Sequence, residues 1–148
     1  MTSHVAQFFV GDDEWGRTLA DLRRALAAGG KVVFDTRDPR AREWERWNPV
    51  DSRRRITLTD GSVVAAWTEV TDVQGGAVSF TIHYTLPNGD ELPSTATLRF
   101  RTEEEVHASL QDAGFSVERM YGGWHREPVG KGDGELLVIA RTNGTVTA

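Results

Sequence analysis

Met1-Thr2-Ser3-His4-Val5-Ala6-Gln7-Phe8-Phe9-Val10, running straight into Gly11-Asp12-Asp13-Glu14-Trp15, decides how this 148-residue chain is read. The first ten residues read as the end of a strand and the loop after it. The acidic run reads as a helix start, where Asp12 or Asp13 caps free N–H groups and acids complement the helix dipole. Trp15, Leu19, Leu22 and Leu26 recur at helical spacing, with Arg17, Asp21, Arg23 and Arg24 on other faces. Ala28-Gly29-Gly30 offers a left-handed exit. Val32-Val33-Phe34 then forms a short apolar strand, the pattern expected where both faces of a parallel sheet are covered. Pro39 suits the start of a helical turn or two reaching from Arg40 to Trp47.

Outward from this stretch the period changes. Ile56-Thr57-Leu58 and the runs 63–73, 77–86 and 92–101 are β-rich or alternate. Asp60-Gly61, Gln74-Gly75-Gly76 and Pro87-Asn88-Gly89-Asp90 separate them as turns. Val78, Phe80, Ile82 and Tyr84 share one strand face and Ser79, Thr81, His83 and Thr85 the other. The reading is an antiparallel meander of about four strands. Its polar face places His83 and Arg99 in solvent. Thr102 with Glu105 then spells a capping box for a helix to Ala113, closed by Gly114. Strands are expected over 115–121 and 135–140.

Val5-Ala6-Gln7-Phe8 after a strand, a helix ending in Ala-Gly-Gly, then Val33-Phe34-Asp35-Thr36-Arg37-Asp38-Pro39 make a specific order. Together with Leu98-Arg99-Phe100-Arg101, Asp112-Ala113-Gly114-Phe115 and Gly134-Glu135-Leu136-Leu137-Val138-Ile139-Ala140-Arg141, it resembles the second half of a class I S-adenosylmethionine-dependent methyltransferase. The resemblance implies an α/β fold (α+β over this span): a partial Rossmann-like methyltransferase sheet carrying an inserted antiparallel β-meander. Residues 1–148 are expected to be a single domain. Within it, 1–52 and 102–141 form the partial core, 53–101 the inserted sheet and 142–148 a tail.

The resemblance also implies a cofactor, S-adenosylmethionine, and a small-molecule methyl acceptor. His4, Val5 and Gln7 match the loop that faces the cofactor, and His4 is the candidate general base for the acceptor's proton. The alternative for His4 is an ordinary surface histidine. Arg37 lies at the carboxyl end of a strand, where ligands collect in such sheets; an ion pair with Asp35 or Asp38 explains it equally. Gln7, Arg37, Trp44, Trp67, Trp124 and His125 are the candidate substrate-binding residues, although tryptophans also fill cores. Trp44 and Trp47, three residues apart, fit one face packed under the inserted sheet.

A nucleotide-type cofactor needs a Gly-rich turn opening a helix. The nearest composition, Gly130-Lys131-Gly132-Asp133-Gly134, leads into a strand. That turn and its acidic ribose-binding residue are expected upstream of Met1. The chain alone is therefore expected to bind cofactor poorly and to be inactive, as a truncation or as one part of a pair with a complementary N-terminal half. An open strand edge at 32–34 favours a homodimer when that half is missing.

Composition removes other classes. A net charge of −5 and a pI near 5.3 give no basic face for nucleic acid. Zero cysteines exclude disulfides and thiolate ligands and suit a reducing cytoplasm. No apolar stretch is long enough to span a membrane. Four histidines without paired spacing predict no metal site. Neither a Ser-His-Asp set nor paired carboxylates are legible. A non-enzymatic ligand-binding or dimerisation module is the rival reading, and a lipocalin-like barrel needs about eight strands rather than four.

Overall fold

The computed structural model describes residues 1–144. In chain order its elements are α1 (Asp12–Ala25), β1 (Lys31–Arg37), β2 (Arg54–Thr57), β3 (Val63–Gln74), β4 (Ala77–Thr85), β5 (Glu91–Arg99), α2 (Glu103–Asp112), β6 (Phe115–Tyr121) and β7 (Glu135–Thr142). They divide into two compact units, Met1–Ala41 with the chain from Arg99 onward, and Arg42–Leu98. The mixed α/β composition agrees with the sequence.

The first unit holds a three-stranded sheet in the order β1-β7-β6, antiparallel throughout. The parallel surroundings expected for β1 are thus absent among the described residues, where β1 pairs with β7 alone. Burial along β1 alternates before its carboxyl end: Val32 and Phe34 are buried, while Val33 is 42% exposed. Phe34, Trp15, Leu19, Val106, Leu110, Phe115, Leu136 and Val138 form the core. The Trp15 ring meets Phe34 edge-on at 5.4 Å. Arg101 reaches in beside them, bonding the carbonyl of Phe9 at 2.9 Å and Asp12 at 3.0 Å.

Several local expectations change. Residues 1–10 are not a strand end: Ser3 and His4 take φ of +58° and +59°, and a 3₁₀ turn follows over Val5–Phe8. The Met1 amino group meets β1, donating to the Val33 carbonyl at 2.7 Å. The N-cap of α1 is Gly11, with no side-chain cap. Asp12 and Asp13 lie inside the first turn, where they serve the dipole but not the cap. The helix stops at Ala25 because Leu26 is extended, so the left-handed Gly29 (φ +74°) closes a separate turn. Thr142, read as the first tail residue, is the buried end of β7 and donates to the Ala27 carbonyl. Of the expected tail, 145–148 lies outside the described residues. The Thr102–Glu105 capping box on α2 is present in both directions.

The second unit is the four-stranded antiparallel meander, β2-β3-β4-β5. Gly75 and Gly76, at φ +56° and +78°, make the two-residue β3–β4 turn. Val64, Ala66 and Thr68 alternate with less buried neighbours, as do Val78 and Phe80. Trp47 packs edge-on against Phe80 at 4.9 Å. On the other face His83 stacks on Trp67 at 3.9 Å and pairs with Glu69. His83 is therefore not simply solvated. Neither is Arg99, at the far end of β5, whose side chain is only 12% exposed and meets Glu105 at 2.8 Å.

Candidate functional site

Residues i and i+2 of a strand share a face, so Asp35 and Arg37 project together from the carboxyl end of β1. The register sets Glu135, the first residue of β7, opposite Arg37. Glu135 is delivered by a loop ending in Gly134 at φ +80°. The carbonyl of Gly134 accepts the Asp38 N–H at 2.8 Å, and a Cβ there would stand 2.6 Å from that of Ala41. Glycine is the residue that fits both constraints.

The left-handed turn at Ser3-His4 brings a third segment onto this face. Such φ values cost a non-glycine residue roughly 1–2 kcal/mol each, so the surroundings must hold the turn. They do: the His4 N–H donates to Asp35 Oδ2 at 3.1 Å, and the His4 carbonyl accepts the Gln7 N–H at 2.9 Å. The imidazole Nε2 lies 2.9 Å from both Glu135 oxygens and 3.4 Å from Asp35 Oδ2. Asp35 is only 2% exposed, and its Oδ1 is buried without a hydrogen-bond partner. One ligand atom from each of His4, Asp35 and Glu135 lies within 4.8 Å of the others. That is a polar cluster which the spacing of the histidines did not reveal.

Gln7 is fully buried. Its Oε1 accepts from the Arg37 guanidinium at 2.8 Å, and its amide faces the Arg99 carbonyl at 3.5 Å. Gln7 thus ties the loop to the end of β1. Val5, in the same turn, is exposed.

His4, Gln7 and Arg37 are therefore gathered on one strand end, with Asp35 and Glu135 as members that sequence reading did not assign. The sequence offers Asp35 only as an ion-pair partner and Glu135 only as a strand start. No local pattern marks either, because the two partners of His4 stand 31 and 131 residues from it. Trp44 and Trp67 belong to the second unit. Trp124 and His125 sit exposed in the 122–134 loop, where the His125 N–H donates to Glu127. A groove of about 390 Å³ lies elsewhere in the first unit, lined by Trp15, Arg101 and Ser109 of the α1–α2 surface.

Over nearly the whole chain the fold is similar to that of solved S-adenosylmethionine-dependent methyltransferases. An S-adenosylmethionine-dependent methyltransferase from Clostridium acetobutylicum superposes with a TM-score of 0.72 at 14% identity, covering 97% of this chain and 56% of its own. The CcbJ methyltransferase from Streptomyces caelestis gives 0.70 at 15% identity, covering 97% and 55%. CalS10, an amino pentose methyltransferase from Micromonospora echinaspora solved with its cofactor bound, gives 0.66 at 19% identity, covering 96% and 57%. The chain thus spans little more than half the length of these structures. No family model matches it, and neither does any curated protein sequence.

Among the described residues, the glycines at positive φ close turns and strand entries, and none opens a helix as a phosphate- or ribose-facing turn does.

Proposed function

We propose that this chain is the acceptor-side portion of an S-adenosylmethionine-dependent methyltransferase acting on a small molecule. The observation that carries the reading is the His4–Asp35–Glu135 cluster, standing at the carboxyl end of β1 within a methyltransferase-like fold. His4 is the general base, taking a proton from the hydroxyl or amine that is methylated. Gln7, Val5 and His4 form the cofactor-facing loop, and Arg37 orients the acceptor. Trp124 and His125 are further candidate acceptor contacts in the first unit, and Trp44 and Trp67 are candidates in the second. A complementary N-terminal half supplies the Gly-rich turn, and zero cysteines suit a cytoplasmic setting. No described helix is long and apolar enough to cross a membrane.

Calorimetric titration of the 148-residue chain with S-adenosylmethionine is expected to show weak binding or none. Micromolar or tighter binding would overturn the need for a second half. An in-frame Gly-rich strand–turn–helix in the DNA upstream of the Met1 codon would supply that half directly; its absence would favour the rival reading.

The rival is a non-enzymatic ligand-binding or dimerisation module, and the free side of β1 favours it. Val33 there is 42% exposed, and Val5 and Phe8 of the neighbouring turn are 41% and 58% exposed. Unpaired strand edges recruit other strands, and covering each large apolar side chain contributes about 1.5–3 kcal/mol. Without a second half, a homodimer through this edge is expected. A monodisperse monomer at tens of micromolar in light scattering, with Val33 protected from amide exchange, would sink it.

A further inference from the structure

We propose that Glu135 is the positioning residue of His4, fixing its ring as the Nε2–H tautomer and turning Nδ1 toward the acceptor; this rests on the reading of His4 as the proton acceptor. The argument begins from hydrogen-bond capacity. An ionised carboxylate only accepts. Three carboxylate oxygens, two from Glu135 at 2.9 Å and one from Asp35 at 3.4 Å, crowd one ring nitrogen, Nε2. With both carboxylates ionised, three acceptors around a nitrogen require that nitrogen to carry the hydrogen. In a neutral imidazole the other nitrogen then holds the lone pair.

That other nitrogen is free to act. Among the described residues Nδ1 has no hydrogen-bond partner, and the side chain is 22% exposed. A hydroxyl or amine that docks there gives its proton to Nδ1 and keeps the electron pair of the broken O–H or N–H bond. As the ring becomes an imidazolium, the carboxylates of Glu135 and Asp35 already face its charge, the arrangement that orients and supports the histidine of a hydrolase triad.

The backbone joins the same device. Asp35 Oδ2 accepts from the His4 N–H as well as facing the ring, so one buried carboxylate holds both the left-handed turn and the imidazole. Glu135 holds the ring from the opposite strand with both of its oxygens. Loop, β1 and β7 must all be in register for the tautomer to be set. Glu135 touches no reacting atom and acts only through His4.

Long-range ¹H–¹⁵N correlation spectra of the full chain, at a pH where the ring is neutral, test this without cofactor or substrate. The expected pattern for His4 is a pyrrole-type Nε2, a pyridine-type Nδ1 and an Nε2–H proton slowed enough in exchange to be seen. Glu135→Ala should lose that proton signal while the backbone amide spectrum stays folded. Glu135→Gln should keep it, because an amide oxygen still accepts. A protonated Nδ1 in the wild type, or an Nε2–H signal untouched by Glu135→Ala, would overturn the proposal; so would zinc moving Nε2 to a metal-bound shift. If Glu135→Ala does not fold, the wild-type tautomer and the Gln variant decide. These signals report on the ring alone, so methyl transfer can fail its own test while they remain.

Discussion

The two sheets share antiparallel hydrogen bonding and differ in what lies over them. In the first unit β7 is covered on both faces: Leu136, Leu137 and Val138 are buried in succession, and Ala140 and Thr142 follow. In the second, β3 buries only alternate residues and β2 buries none. The consequence is visible in the polar side chains. Those that enter the covered unit come with partners, as Gln7 does with Arg37 and Arg99, and Arg101 with Phe9 and Asp12. On the meander the Ser79–Thr97 hydroxyl pair and His83 on Trp67 lie on the less buried face, and Thr68 is buried on the other. Burial without a partner costs on the order of 1–3 kcal/mol per group. Polar residues are therefore dispensable on one sheet and tightly placed on the other. Against that rule the unpartnered Asp35 Oδ1 stands out, and it sits at the candidate site.

The sharpest way to break this comparison is to empty each core in turn. Trp15→Ala removes a ring packed against Phe34 and Phe9 and beneath the Arg101 guanidinium. Truncating a buried aromatic of this kind costs about 3–5 kcal/mol. Phe80→Ala in the meander removes the partner of Trp47 and is expected at the lower end of that range, since the surrounding sheet is less enclosed. Urea unfolding gives the magnitudes, and amide exchange gives the extent. Trp15→Ala should open β1, β6 and β7, and Phe80→Ala chiefly β3 and β4. Equal loss of protection across all strands from either change would mean that the units unfold as one.

The same contrast explains what the sequence could disclose. The meander was legible because one-sided burial writes a period of two directly into Val78, Phe80 and their polar neighbours. The α2 cap was legible because both of its partners lie within four residues. Ser3 and His4 misled, because their left-handed turn is imposed by a carboxylate on β1 and not by any turn-forming residue nearby. Likewise Asp12 and Asp13 spell a cap, yet Gly11 occupies that position. The candidate site was half legible: His4 and Gln7 were readable through resemblance and Arg37 through its place at a strand end, while Asp35 and Glu135 enter only through strand register. Register depends on pairing between distant segments, which a local pattern does not encode.

The smallest expected effect separates the two sheets by the kind of interaction that holds their surface carboxylates. Glu118 on β6 bonds Lys31 of β1 at 2.6 Å and Arg141 of β7 at 3.2 Å, so one side chain spans the first sheet. The Lys31 hydrogen bond, aided by the charges of Lys31, Arg141 and Arg119, holds its carboxyl below the usual glutamate range. In the meander Asp60 is lowered as well, chiefly by the Ser62 hydroxyl and then by the Ser62 N–H. For both groups the folded state binds its proton less readily than the unfolded chain. Their stabilisation is therefore present above the unfolded carboxylate value, about 3.9–4.3, and fades as pH falls through the lower folded value. Denaturant midpoints of Glu118→Gln and Ser62→Ala should each lie slightly below wild type at neutral pH. The Glu118→Gln gap should close on acidification through that window. Salt then tells the two apart: screening weakens exposed ion pairs, so molar sodium chloride should shrink the Glu118→Gln gap at neutral pH and leave that of Ser62→Ala, a hydroxyl hydrogen bond, nearly unchanged. A Glu118→Gln gap that persists at low pH and in high salt would show that Glu118 acts through packing of its methylenes across the strands, and the electrostatic half of the comparison would fall.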